Sequence, residues 1–259
     1  MRSTLGLVVA GTLLTIAASP LAAEDLTIVF KETGGNGTGA TTAQYYTSAK
    51  MRHNQGDHDS IVEYATGKII FIDNKKKEYW EATAAEFEAQ MKKMNAEMEK
   101  MNAQMANMPP AVREKMEQMM GGGGAVTVTK GGTRKIAGYD AQQYTVAMGQ
   151  MMTMETWNTT ALKLPVPEID VKRFASLAGN TMGQMANNPM FKSMAKVTEE
   201  MKKIEGIALA TNTTFKMMGK TNVTSREATE VKPGPVPDSV FAIPADYKKV
   251  DSPLAKMGK

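Results

Sequence analysis

The sequence predicts an α+β fold: a strongly bent antiparallel sheet, in effect a half-open barrel, with methionine-rich helical inserts covering one face. Three observations carry that expectation. Short β-rich runs punctuated by turn residues fill three blocks, up to residue 82, from 125 to 162, and from 207 onward. Between them, the stretches 84–120 and 168–205 switch to the 3-4 spacing of an amphipathic helix. The chain holds 23 methionines and no cysteine, so no disulfide can form and a packed core must hold it.

The chain opens with Arg2 and an apolar run from Leu5 to Ala18, followed by small residues up to Ala23. That pattern reads as a signal peptide over residues 1–23, cleaved near Ala23. The expected product is periplasmic or secreted, a single domain over 24–259. No later apolar run reaches spanning length, so no transmembrane helix is expected in the mature chain. The net charge of +4 is small and dispersed, which argues against nucleic-acid binding. The Lys248, Lys249, Lys256 and Lys259 tail reads first as a solvated end, and second as a peripheral contact with an anionic membrane surface.

The first block contains Leu26 to Glu32, Thr41 to Met51, Ser60 to Tyr64, Lys68 to Asp73 and Lys77 to Ala82. Their short connections, including Ala65-Thr-Gly67 and Asp73-Asn74, predict an antiparallel meander of about five strands. Thr83-Ala-Ala-Glu86 is a capping-box sequence, so a helix is expected to start there. Pro109-Pro110 must break it, and Gly121 to Gly124 form a flexible joint before the second meander. That meander is expected over Ala125 to Lys130, Thr133 to Ala137, Gln142 to Met148 and Met154 to Leu162, with turns at Gly131-Gly132 and Gly138. Ile207 to Met217 and Asn222 to Lys232 are the last long strands. Pro233-Gly-Pro-Val-Pro237 is a rigid connector, and Ser239 to Ile243 docks as a short final element.

Within the first insert, Met91, Met94, Met98, Met101, Met105 and Met108 fall on one helical stripe. From Ala84 to Met108 such a helix would be about 37 Å long at 1.5 Å per residue. Met190, Met194, Val197, Met201 and Ile204 repeat the pattern in the second. Three readings compete for this excess of methionine. It fills core space, although methionine specifies packing poorly. It lines a surface that moulds itself to acyl chains or a hydrophobic protein segment. It offers thioethers to Cu(I), although a regular stripe brings no three sulfurs together and no histidine stands near.

Catalysis finds little support. His53 and His58 are the two histidines, and the polar stretch around them reads as an exposed loop rather than a base beside a nucleophile. No phosphate-cradling glycine motif occurs and no cofactor is implied. The protein is expected not to be an enzyme.

At Ile136-Ala-Gly-Tyr-Asp-Ala-Gln-Gln-Tyr144 and Asp238-Ser-Val-Phe-Ala-Ile-Pro-Ala-Asp-Tyr-Lys-Lys249 the chain resembles an uncharacterised family of exported bacterial proteins. That family is similar in outline to the lipoprotein-carrier superfamily of LolA, LolB and LppX. The resemblance implies a half-barrel whose helices cover a concave face, with acyl chains held between. The resulting expectation is non-enzymatic binding of an apolar ligand, lipid chains or a hydrophobic or lipidated protein segment. Met91, Met94, Met98, Met101, Met105 and Met108 would line it, with Met190, Met194 and Met201 opposite.

Overall fold

The computed structural model describes residues 23–34, 39–83, 126–149, 152–166, 200–217 and 220–252, together with Ala85, Glu86, Ala89, Lys93, Ala96, Glu97 and Lys100. Among the described residues, twelve strands form one sheet. The first six are β1 (Leu26–Gly34), β2 (Thr41–Tyr46), β3 (Lys50–Asn54), β4 (His58–Glu63), β5 (Lys68–Asp73) and β6 (Glu78–Ala82). The rest are β7 (Val126–Ile136), β8 (Tyr139–Met148), β9 (Met152–Thr159), β10 (Ile207–Met217), β11 (Lys220–Pro233) and β12 (Lys248–Lys249). Their order is β12-β6-β5-β4-β3-β2-β1-β11-β10-β9-β8-β7.

Two antiparallel meanders, β1 to β6 and β7 to β11, are thus fused edge to edge. The seam joins β1 to β11, residues some two hundred positions apart, with Leu26 opposite Pro233 and Gly34 opposite Thr224. Alternation explains the seam: Leu26, Ile28 and Phe30 are buried on one side of β1 while Thr27, Val29 and Lys31 point to the other. A bulge at Thr229 lets Ala228 pair with Phe30.

Several turns follow the sequence reading and two do not. Ala137 (φ 47°) and Gly138 (φ 89°) make a two-residue hairpin between Ile136 and Tyr139, in the left-handed geometry that suits strand twist. Thr41 to Met51, expected as one strand, is instead a hairpin. The Thr47 hydroxyl accepts from the Ala49 and Lys50 amides at 3.2 and 3.0 Å and reverses the chain. Gly131-Gly132, expected as a turn, is a bulge inside the continuous strand β7. A Cβ on Gly131 would stand 2.6 Å from Gln143 Oε1, so glycine permits the close approach of β8.

The expected α+β class, with its helical inserts over a half-barrel, is overturned. The described architecture is a single open sheet of twelve strands with no α-helical element. Among the described residues, α-helical backbone occurs only at the seven named above between 85 and 100 and at Glu200 and Met201. The Thr83–Glu86 capping box does form: the Thr83 amide donates to Glu86 Oε2 at 2.7 Å and the Glu86 amide donates to Thr83 Oγ1 at 3.2 Å. A 3-4 spacing states which methionines would share a stripe if a segment were helical. It does not supply the apolar surface against which such a helix becomes a layer of the fold.

The core has two parts. The larger gathers Leu26, Ile28, Phe30 and Tyr46 with Ile136, Ala141, Leu209, Ala210 and Ala228. The smaller lies on one face of the first meander, where Ile61, Ile70 and Ile72 are closed over by Val236 and Phe241. The segment carrying those two residues is a strap. It leaves β11, forms a 3-10 turn at Asp238–Phe241, and returns as β12 along the edge of β6. Half-buried Arg52 holds it by donating to the Val240 and Ala242 carbonyls while pairing with buried Asp59. The sequence expectation that 239–243 docks as a short element holds, but the element is not the final one, because β12 follows it.

Candidate apolar-ligand face

Residues opposite one another on antiparallel strands project to the same face. The strap occupies the face of the first meander that carries Tyr45, Arg52, Ile61, Ile70 and Tyr79. The opposite face follows from the same registers. One row across it reads Tyr46, Met51, Val62, Ile69 and Ala82, from β2 to β6. The next row reads Gln44, His53, Ser60, Phe71 and Trp80.

The first row is apolar throughout. Met51, Val62 and Ile69 are half-buried, between the buried Tyr46 and Ala82. Phe71 and Trp80 extend it, stacked with centroids 4.1 Å apart and planes 15° from parallel. The row crosses four strand spacings, about 19 Å at ~4.8 Å each. The strap closes over one side of this meander, and on the other side Tyr46 and Met51 pack against core residues of the second meander, leaving Val62 and Ile69 outside both clusters.

A group of polar residues lies further along the same face, where β1 and β11 meet. Arg226 stands opposite Glu32, and its guanidinium lies over the Phe30 ring, 4.4 Å from the centroid. The Glu32 carboxylate accepts from the Thr42 hydroxyl at 3.1 Å. The Tyr46 hydroxyl donates to Gln44 Oε1 at 2.9 Å, and burial raises its pKa. Burial, reinforced by the Arg226 charge, lowers the pKa of His53, so its imidazole is neutral at neutral pH. Sequence reasoning took His53 for a loop residue. It lies on β3, and the alternation of Met51 and His53 with Arg52 was the signal that places it on this face.

The sequence-predicted lining fares differently. Met91, Met94, Met98, Met101, Met105, Met108, Met190 and Met194 lie outside the described residues. Met201 is exposed, at 38%. It follows Glu200, whose carboxylate accepts from the Val128 amide of β7 at 3.2 Å, at the opposite end of the strand order from β6. Of the Lys-rich tail, Lys249 is ion-paired with Glu81 at 2.6 Å, Lys248 is exposed, and Lys256 and Lys259 lie outside the described residues. Among the described residues, no cluster of His, Asp and Glu could hold a metal ion, and no helix is long and apolar enough to cross a membrane.

No family model and no curated protein matches the chain. Among solved structures it is similar to PNGF-II, at 12% identity and a TM-score of 0.40 over 91% of this chain, which spans only 32% of that protein. It is also similar to an uncharacterized conserved protein from Thermus thermophilus, at 7% identity and a TM-score of 0.43, covering 90% of this chain and 92% of that one. A LolA superfamily protein, NE2245 from Nitrosomonas europaea, shares 8% identity at a TM-score of 0.15, covering 86% of this chain and 91% of that one. Likenesses this distant assign neither family nor function.

Proposed function

We propose that this protein binds an apolar chain, such as a lipid acyl chain, over Val62 and Ile69 on the face of the first meander away from the strap, without chemical turnover. The observation that carries the reading is the asymmetry of the first meander. One face is sealed by its own strap, while on the other Val62 and Ile69 are half-buried apolar side chains that belong to neither core cluster. An apolar row bordered by polar groups suits an amphiphile, because the chain gains from leaving water while the head stays near hydrogen-bonding partners.

Trp80 supplies its own test, since the second tryptophan, Trp157, lies on β9 beneath Arg134 and packs against the larger core. Titration with a dibrominated fatty acid should quench tryptophan emission saturably in the wild type. The Trp80→Phe variant should keep its fold and lose that quenching. Quenching that persists in Trp80→Phe, or that never saturates, would overturn the assignment.

A further inference from the structure

The β10–β11 hairpin runs past the strands beside it. Pairing of β10 with β9 ends at Phe215, opposite Met152, and pairing of β11 with β1 ends at Thr224, opposite Gly34. Beyond those points, among the described residues, the two strands pair only with each other, Lys216 with Thr221 and Met217 with Lys220. Phe215 and Val223 are large apolar side chains there, 37% and 48% exposed. Register sets them on opposite faces. Phe215 stands opposite Asn222, and Val223 stands opposite Thr214, the residue next to Phe215. The same alternation places Lys220 on the Phe215 face and Lys216 on the Val223 face. Both lysines are exposed, and among the described residues neither has an ion pair. No Asp or Glu occurs from Ile207 to Arg226, or from Ala141 to Met154 along β8 and the start of β9. This end of the hairpin is therefore apolar and cationic on both of its faces.

We propose that the end of the β10–β11 hairpin enters the head-group layer of an anionic membrane. A protein partner seats on one face of a strand pair and leaves the other in water. A bilayer surrounds a narrow element from both faces, so Phe215 and Val223 reach the acyl boundary together. Lysine stems lie along apolar surface while their ammonium groups stay among the lipid phosphates, which supply the charge that the hairpin lacks. The outward N–H and C=O groups of Lys216 to Val223 have no ladder partner among the described strands, which limits entry to the hydrated head-group layer. This surface is separate from Val62 and Ile69, and the proposal does not rest on ligand binding there.

The chain has no cysteine, so one introduced thiol carries a unique label. Phe215→Cys, Val223→Cys and Thr66→Cys are each labelled with an environment-sensitive nitrobenzoxadiazole dye. Thr66 is exposed on the β4–β5 turn, at the other end of the strands. Vesicles of phosphatidylcholine with about a quarter phosphatidylglycerol should brighten and blue-shift the emission at positions 215 and 223 and leave position 66 unchanged. Pure phosphatidylcholine vesicles should give less than about a fifth of that response. Lys216→Gln with Lys220→Gln, introduced into the Val223→Cys chain, should weaken vesicle binding at least fivefold. A response at only one of positions 215 and 223 would indicate a one-sided contact, as a protein makes, and would overturn the proposal. No response at either position, or an equal response at position 66, would also overturn it. Equal responses to the two vesicle types would overturn the role of lipid charge.

Discussion

Arg52 and Asp59 form an ion pair on adjacent strands of the strap face, with the acid 1% and the base 13% exposed. The same guanidinium donates to two carbonyls of the strap, Val240 and Ala242. One buried charge therefore ties the strap to the third strand. A buried pair adds little over a well-packed apolar pair, but removing one partner strands the other charge in the interior.

Asp59→Ala should accordingly cost on the order of 3–5 kcal/mol of unfolding free energy. Urea denaturation measures it, and hydrogen exchange should show early loss of protection over residues 236–243. Replacing both residues with apolar ones of similar volume, as in Arg52→Met with Asp59→Leu, should recover much of the loss. A loss equal to that of Asp59→Ala in the double variant would mean that the carbonyl contacts, and not the ion pair, hold the strap.

The apolar row should be separable from the core. Val62→Glu places a carboxylate in the middle of it, on the face away from the strap. Probe binding is expected to fall at least tenfold. The half-buried position limits the stability loss to about 1–2 kcal/mol, below the ~3–5 kcal/mol expected for Phe30→Ala in the sealed core. Titration calorimetry beside thermal melts separates the two effects.

His53 should make stability pH-dependent. Burial first, and the Arg226 charge second, lower its pKa in the folded chain from the ordinary 6.5, while Glu32 and Asp59 oppose the shift. The folded state then binds this proton less readily than the unfolded state. The contribution of neutral His53 is fully present above pH 6.5 and is lost as pH falls from there through the lower folded value. His53→Gln should therefore be less sensitive than the wild type to acidification from about pH 7 to 5 in urea midpoints. Arg226→Gln should move the His53 titration, followed by NMR, back toward 6.5.

Two glycines should respond unequally to alanine. Gly206 has φ +83°, and a Cβ there would stand 2.3 Å from the Thr159 carbonyl oxygen, a backbone atom. Gly206→Ala should cost well over ~1 kcal/mol. Gly132, in the β7 bulge, has nothing within 4 Å of the corresponding position. Gly132→Ala should change stability by less than about 1 kcal/mol. Melting temperatures of the two variants decide both.

Much of the sheet is legible in the residues. Leu26, Ile28 and Phe30 alternate with Thr27 and Val29, the Ala137-Gly138 turn joins two β-rich runs, and Thr83-Ala-Ala-Glu86 writes its own cap. Each of these is local, so composition and spacing suffice to read it. Local reading fails where a residue's role depends on a partner far along the chain. Gly131 looks like a turn until Gln143 is known to lie against it. Arg52 looks like a surface charge until residues 240 and 242 fold over it. The methionine spacing is as regular as any pattern in the chain, yet it drew the α+β expectation away from what is built, one sheet of twelve strands.

By itself, the sequence determined where most strands run, which residues alternate along them, and that no disulfide holds them together. Tertiary structure alone decided that the two meanders fuse through β1 and β11, that the strap seals one face of the first meander, and that Arg226 comes to lie over Phe30. The physical reason is that alternation and turn chemistry act over a few residues. The pairing of strands some two hundred residues apart is set instead by the apolar surface they bury together, which no local stretch of the sequence displays.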